Sequence, residues 1–254
     1  MMNDYVKTTV RQELADEIRA NCRKLRLSQN FAENVLACGD EKLAESIKEI
    51  LHKEVTSRYV KKVASEIERA GFPCQFSPAD FDASEVSVVG GITVEQLMEL
   101  PFCKEGKAGN VMIYGGPGTG KTMFSIILGS IACRQGLTAR FMRMALLMEE
   151  LMDAQEKDQL PRYIRKYSRT KVLILDEFAY TPYTLSEVRL FYRLLSRISE
   201  KTSVILNTTL NINKWAEMIP DDRLASSIGG KIMQDCTVLI FRGHDRRFDV
   251  ISGG

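Results

Sequence analysis

Apolar residues along this chain follow two different periods, and the change between them divides it. Between residues 8 and 70 hardly a helix breaker occurs apart from Gly39, and apolar side chains recur at helical spacing. Leu43, Ile47, Ile50, Leu51, Val55, Tyr59, Val63 and Ile67 mark one face of a long amphipathic helix. Asp40 is placed to cap its start, and Gly71 followed by Pro73 stops it. An earlier helix is predicted over 9–25, and Ser28 is placed to cap a short second one. Residues 1–71 therefore read as a small all-helical N-terminal domain.

From about residue 81 the pattern alternates between short apolar runs and helical stretches. The runs are 111–114, 139–142, 172–175, 203–206 and 237–241, with a short final strand predicted at 247–251. Apolar runs separated by helices predict parallel strands buried on both faces. Residues 72–254 thus read as an α/β domain of three layers with a parallel sheet.

Between the first of these runs and the helix after it lies Gly115-Gly116-Pro117-Gly118-Thr119-Gly120-Lys121-Thr122. Strand, glycine-rich loop and helix is the context in which G-x-x-x-x-G-K-[ST] carries a mechanism. Gly115, Gly118 and Gly120 let the backbone curl, so that successive N–H groups face a phosphate chain at a helix N-terminus. Lys121 then reaches the β- and γ-phosphates, and the Thr122 hydroxyl binds Mg²⁺. The loop predicts a nucleoside triphosphate as ligand.

The run 172–175 delivers Asp176 and Glu177 to the C-terminal end of a strand, where ligand sites of such sheets lie. Asp176 is suited to hold Mg²⁺, and Glu177 to accept a proton from an attacking water. That adjacent acid favours hydrolysis over transfer to a small substrate. The next strand ends at Asn207-Thr208-Thr209, and side-chain alternation favours Asn207 and Thr209 over Thr208. Either could sense the γ-phosphate or position the lytic water, and a loop-capping role fits each equally.

Composition narrows the setting. Hydrophobic residues make up 44% and charged residues 27%, enough apolar material for a real core. A net charge of +2 argues neither for nor against nucleic acid. No apolar stretch approaches a membrane span and the N-terminus lacks a signal-peptide pattern, so a cytoplasmic protein is expected. Six cysteines without C-x-x-C pairing and two distant histidines read as scattered reduced thiols, not a zinc site.

Together these residues resemble the IstB-like ATP-binding proteins, AAA+ transposition helpers of insertion sequences related to the helicase loader DnaC. The resemblance runs from about residue 20 to nearly the end. It is carried by Phe72-Pro73 and Asp80-Phe81-Asp82, the phosphate loop, Asp176-Glu177 with Tyr180-Thr181-Pro182, and Trp215 with Asp221-Asp222. It implies an AAA+ ATPase that forms ATP-dependent homo-oligomers on DNA and recruits a transposase or, as in the helicase loaders, a replicative helicase. The insert 144–168, with Arg162, Arg165 and Lys166, is similar to the helical initiator-specific motif of this clade.

Three positions depart from the family pattern. Met123 follows the loop threonine where the family often has histidine. Ser227 stands where the resemblance implies a finger arginine, and Lys231 replaces a second arginine. Arg223, one helical turn upstream, is the available substitute. Lys231 keeps a charge but not the bidentate fork, and Gly229 and Gly230 each weaken their helix by roughly 1 kcal/mol relative to alanine. A nucleotide-gated DNA-binding scaffold with little hydrolysis is therefore the rival reading.

In the helical module, Arg19, Arg23, Lys24 and Arg26 end the first helix, and Lys53, Arg58, Lys61 and Lys62 lie along the long one. Cations there suit DNA phosphates. Acidic residues are nearly as numerous, so a solvated helix face explains the charges equally well.

Overall fold

The computed structural model describes residues 2–104 and 106–245. The predicted strand at 247–251 lies outside them. Two compact units divide between Ser65 and Glu66.

The first unit holds α1 (Met2–Leu25), α2 (Gln29–Ala37) and most of α3 (Glu41–Ala70). α1 starts earlier than its apolar pattern indicated. Asp40 Oδ1 accepts the N–H groups of Lys42 at 3.0 Å and Leu43 at 3.2 Å, which caps α3. Ser28 occupies the cap position of α2, but its side chain makes no capping hydrogen bond. The core of this unit joins Ile18, Cys22 and Leu25 of α1 to Ala32 and Val35 of α2 and to Ala44 and Leu51 of α3. The predicted apolar face of α3 is thus only partly used: Leu43, Ile50 and Tyr59 are exposed. The contact line runs instead through Ala44, Ile47, Leu51 and Val55, because a helix of nine residues, α2, cannot cover one of thirty.

The second unit holds a six-stranded sheet. Its strands are β1 (Val86–Val89), β2 (Asn110–Gly115), β3 (Ala139–Arg143), β4 (Val172–Phe178), β5 (Ser203–Thr208) and β6 (Cys236–Phe241). They lie in the order β1-β6-β2-β5-β4-β3. β2 to β6 are parallel, as their apolar runs imply, and β1 is added antiparallel to β6. The expectation of a parallel sheet is corrected at that edge. Val86-Ser87-Val88-Val89 is a short half-buried segment before Gly90-Gly91, too brief to show a period.

Helices cover both faces: α4 (Val94–Met98), α5 (Lys121–Arg134), α6 (Met144–Glu156), α7 (Leu160–Tyr167), α8 (Leu185–Ile198) and α9 (Asp222–Met233). α6 to α9 pack one core against β4 and β5, centred on Leu175, Phe178, Phe191 and Trp215. α4 and α5 pack the other around Ile113, Phe124, Leu128 and Ile174. Three layers result.

Asn110 is the buried knot of the sheet. Its Nδ2 donates to the carbonyls of Lys231 at 3.0 Å, Ile232 at 3.1 Å and Gln234 at 3.3 Å. Its Oδ1 accepts the Val204 N–H at 2.9 Å. One side chain thereby ties the end of α9 to β2 and β5.

Candidate nucleotide site

The phosphate loop leaves β2 at the middle of the sheet and opens α5, at the carboxyl edge where the strand order reverses. Gly118 (φ +68°) and Gly120 (φ +94°) take the left-handed backbone that L side chains avoid. Thr119 Oγ1 donates to the Gly116 carbonyl at 2.9 Å and closes the loop on itself. Lys121 is buried, and its Nζ donates to the carbonyls of Gly115, at 2.9 Å, and Gly116. Phe81 stacks against Phe124 with centroids 4.6 Å apart and lies beside Gly120, which gives the loop an apolar flank.

Beneath the loop the start of α5 and two strands, β4 and β5, contribute polar groups. The Thr122 hydroxyl donates to the Asp176 carboxylate, 3.1 Å from each oxygen. Asn207, on β5 between them, donates from Nδ2 to Asp176 Oδ1 at 2.8 Å and to Ser125 Oγ at 2.9 Å. Ser125 donates onward to the Thr122 carbonyl at 2.8 Å. Asn207 Oδ1 is the one buried side-chain oxygen or nitrogen among the described residues without a hydrogen-bond partner. An orphaned acceptor beside a carboxylate and a hydroxyl is an oxygen-rich donor set of the kind Mg²⁺ takes, and the curled loop is a cradle for phosphates. The residues fit both ATP and Mg²⁺.

Glu177 stands at a break in the ladder. The register of β4 against β5 shifts between Leu175 and Phe178, and Glu177 (φ +61°) and Ala179 (φ +57°) are both left-handed. Such a backbone costs roughly 1–2 kcal/mol per residue in a non-glycine. The bulge leaves Asp176 buried and turns Glu177 to solvent. Tyr183 braces it: its hydroxyl accepts the Ala179 N–H at 2.8 Å, and burial pushes its phenol up.

Of the other predicted residues, Thr209 lies past the end of β5 and is exposed. Thr208, passed over by alternation, is buried, and its hydroxyl bonds the Phe178 and Leu210 carbonyls at 3.0 and 3.2 Å. Arg223 and Ser227 are exposed on α9, and Lys231 lies over the Tyr192 ring at 5.6 Å. α9 runs as a helix through both Gly229 and Gly230. In the first unit Arg19 is held by Glu33 at 2.9 Å and Arg58 by Glu54 at 2.7 Å, so two of the module's cations are already matched.

Sequence reasoning missed Ser125, Tyr183 and Asp245. Asp245, just beyond β6, lies against the phosphate loop: a Cβ on Gly118 would stand 1.7 Å from its Oδ1. No motif announces it, because the contact depends on where β6 ends.

The profile of the family described as IstB-like ATP binding protein matches residues 20–250. The chain is 33% identical over 197 residues to the protein assigned to insertion sequence IS21 of Pseudomonas aeruginosa as its ATP-binding protein, covering 78% of this chain and 74% of that one. It is 25% identical over 203 residues to the corresponding protein of insertion sequence IS232 of Bacillus thuringiensis subsp. berliner, covering 80% of each. Among solved structures, DnaI is similar with a TM-score of 0.53 at 19% identity, over 72% of this chain and 93% of that one. That likeness concerns the fold alone, an AAA+ P-loop core. No described helix is long and apolar enough to cross a membrane.

Proposed function

Because this chain belongs to the family of IstB-like ATP-binding proteins, we propose that it is a cytoplasmic ATPase that assembles on DNA and assists a transposase. The observation that carries the reading is the constellation of Thr122, Asp176 and Asn207 under the phosphate loop, with Glu177 beside it. Its relatives are assigned to insertion sequences, which is the support for a transposase as partner.

In this reading the backbone from Gly115 to Gly120, through Gly116, Pro117, Gly118 and Thr119, cradles the triphosphate at the start of α5. Lys121 exchanges its carbonyl partners for phosphate oxygens. Thr122 and Asp176 would hold Mg²⁺, which would supply positive charge to neutralise the charge developing on the phosphates. Glu177 accepts the proton of the attacking water, and Asn207 reports the γ-phosphate to Asp176. Bound ATP favours the assembled state and hydrolysis releases it. Arg223 and Lys231 on α9 are the cations available to a neighbouring subunit's γ-phosphate.

The exposed Ser227 supports a second reading, a nucleotide-gated DNA-binding scaffold with little turnover. The test of assembly is the mass of the purified protein in solution with and without ATP and duplex DNA. ATP-dependent oligomers that bind duplex DNA and retain the transposase of a related insertion sequence are expected. A monomer under every condition would overturn the reading.

A further inference from the structure

At the opposite edge of the sheet from the phosphate loop, where β3 and β4 begin, lies a concave groove of about 790 Å³. Five cations line it: Arg140 from β3, Arg162, Arg165 and Lys166 from α7, and Arg169 from the turn before β4. Glu66 is the one carboxylate in the lining, and it is paired with Arg69 at 3.2 Å. Among the described residues none of the five cations takes part in an ion pair.

The placement follows from α7. Leu160, Ile164 and Tyr167 are buried, which turns Arg162, Arg165 and Lys166 outward together. A position near the C-terminus of α7 suits Arg165 and Lys166 through the helix dipole, but Arg140 and Arg169 have no such reason to be there. The platform is braced. Thr138 Oγ1 donates to the Arg169 carbonyl at 3.2 Å and accepts the Lys171 N–H at 3.0 Å. Thr202 Oγ1 donates to the Thr170 carbonyl at 2.8 Å, and Lys166 Nζ lies 5.5 Å from the Tyr167 ring centre. Like charges gathered on a fixed concave surface repel one another unless an anion sits among them.

We infer that this groove receives the phosphate backbone of DNA. The inference rests on the proposed assembly on DNA and adds where the strand lies. From Arg162 to Lys166 the helix rises about 6 Å, close to two phosphate steps of one strand at about 3.4 Å each along the axis. Guanidinium groups suit such oxygens, and a groove of arginines without a base-reading element predicts sequence-independent contact. The first unit presents a weaker case, because Arg19 and Arg58 already face carboxylates.

The test is the affinity for a labelled mixed-sequence duplex as a function of salt, with ATP present. It compares the full chain, the variant Arg162→Gln/Arg165→Gln/Lys166→Gln, and a control variant Arg193→Gln/Arg197→Gln/Lys201→Gln that removes as many exposed cations elsewhere. Loss of three phosphate contacts lowers the slope of log affinity against log salt by about 2.7, and affinity at about 0.1 M salt on the order of 10²-fold. ATP affinity and the thermal midpoint stay unchanged, and the control keeps the original slope. An unchanged slope in the groove variant overturns the inference alone. An equal loss in the control also overturns it, by reducing the effect to net charge. A wild-type chain that binds no duplex overturns both the inference and the proposed assembly on DNA.

Discussion

Asn207 Nδ2 lies 2.8 Å from Asp176 Oδ1 and is buried, so the two central strands of the site share one hydrogen bond beneath the phosphate loop. The amide both orients the carboxylate and leaves its own oxygen without a partner. Asn207→Ala is expected to lower kcat for ATP hydrolysis by about 10²-fold, as for loss of one preorganised polar group. ATP affinity, measured with a fluorescent analogue, should change little. Equal losses in affinity and turnover would make Asn207 a structural strut.

Asp245 places a carboxylate against Gly118, beside the proposed seat of the triphosphate. Like charges there oppose ATP binding. Asp245→Asn is expected to tighten ATP about fivefold, the change corresponding to about 1 kcal/mol of Coulomb repulsion. The gain should shrink as salt rises. Titration of ATP at two ionic strengths checks it.

Two glycines should respond to alanine in opposite directions. Gly230 sits in α9 with open space where a Cβ would go, so Gly230→Ala should stabilise the chain by about 0.5–1 kcal/mol. At Gly115 a Cβ would stand 2.6 Å from the Phe241 carbonyl oxygen. Gly115→Ala should destabilise by about 1–3 kcal/mol, the ordinary cost of overpacking. Urea denaturation of the two variants measures both signs.

The phosphate loop and the five parallel strands were legible because each announces itself locally. A glycine pattern curls a backbone, and an apolar run with no polar face must be buried on both sides. β1 was not legible, since a four-residue segment with three half-buried residues and Val89 exposed joins the edge only through the ladder of β6. The buried side of α3 was likewise hidden: its periodic residues outnumber those that α1 and α2 cover, and Ile50 is left 64% exposed. At the site, Asp176 and Asn207 stood out as polar residues ending apolar strands. Ser125 lies inside a helix and Tyr183 in the loop before α8, where such residues are common, and only the tertiary arrangement shows what they touch.

Burial pushes the thiols of Cys103 and Cys236 up to about 11. Their folded-state values exceed the ordinary 9.0, so the stability they contribute is complete below pH 9 and is lost as pH rises towards 11. The urea midpoint should fall across that window. In the Cys103→Ala/Cys236→Ala variant the fall should be smaller.

The central claim is that the acid exposed by the β4 bulge drives hydrolysis of ATP bound at the loop, and Glu177→Gln tests it most directly. The rate of ATP hydrolysis, with and without duplex DNA, should be compared between this variant and the unaltered chain at saturating ATP. The account predicts DNA-stimulated turnover that drops by about 10²-fold or more in the variant while ATP binding persists. Turnover that survives the substitution unchanged would contradict it.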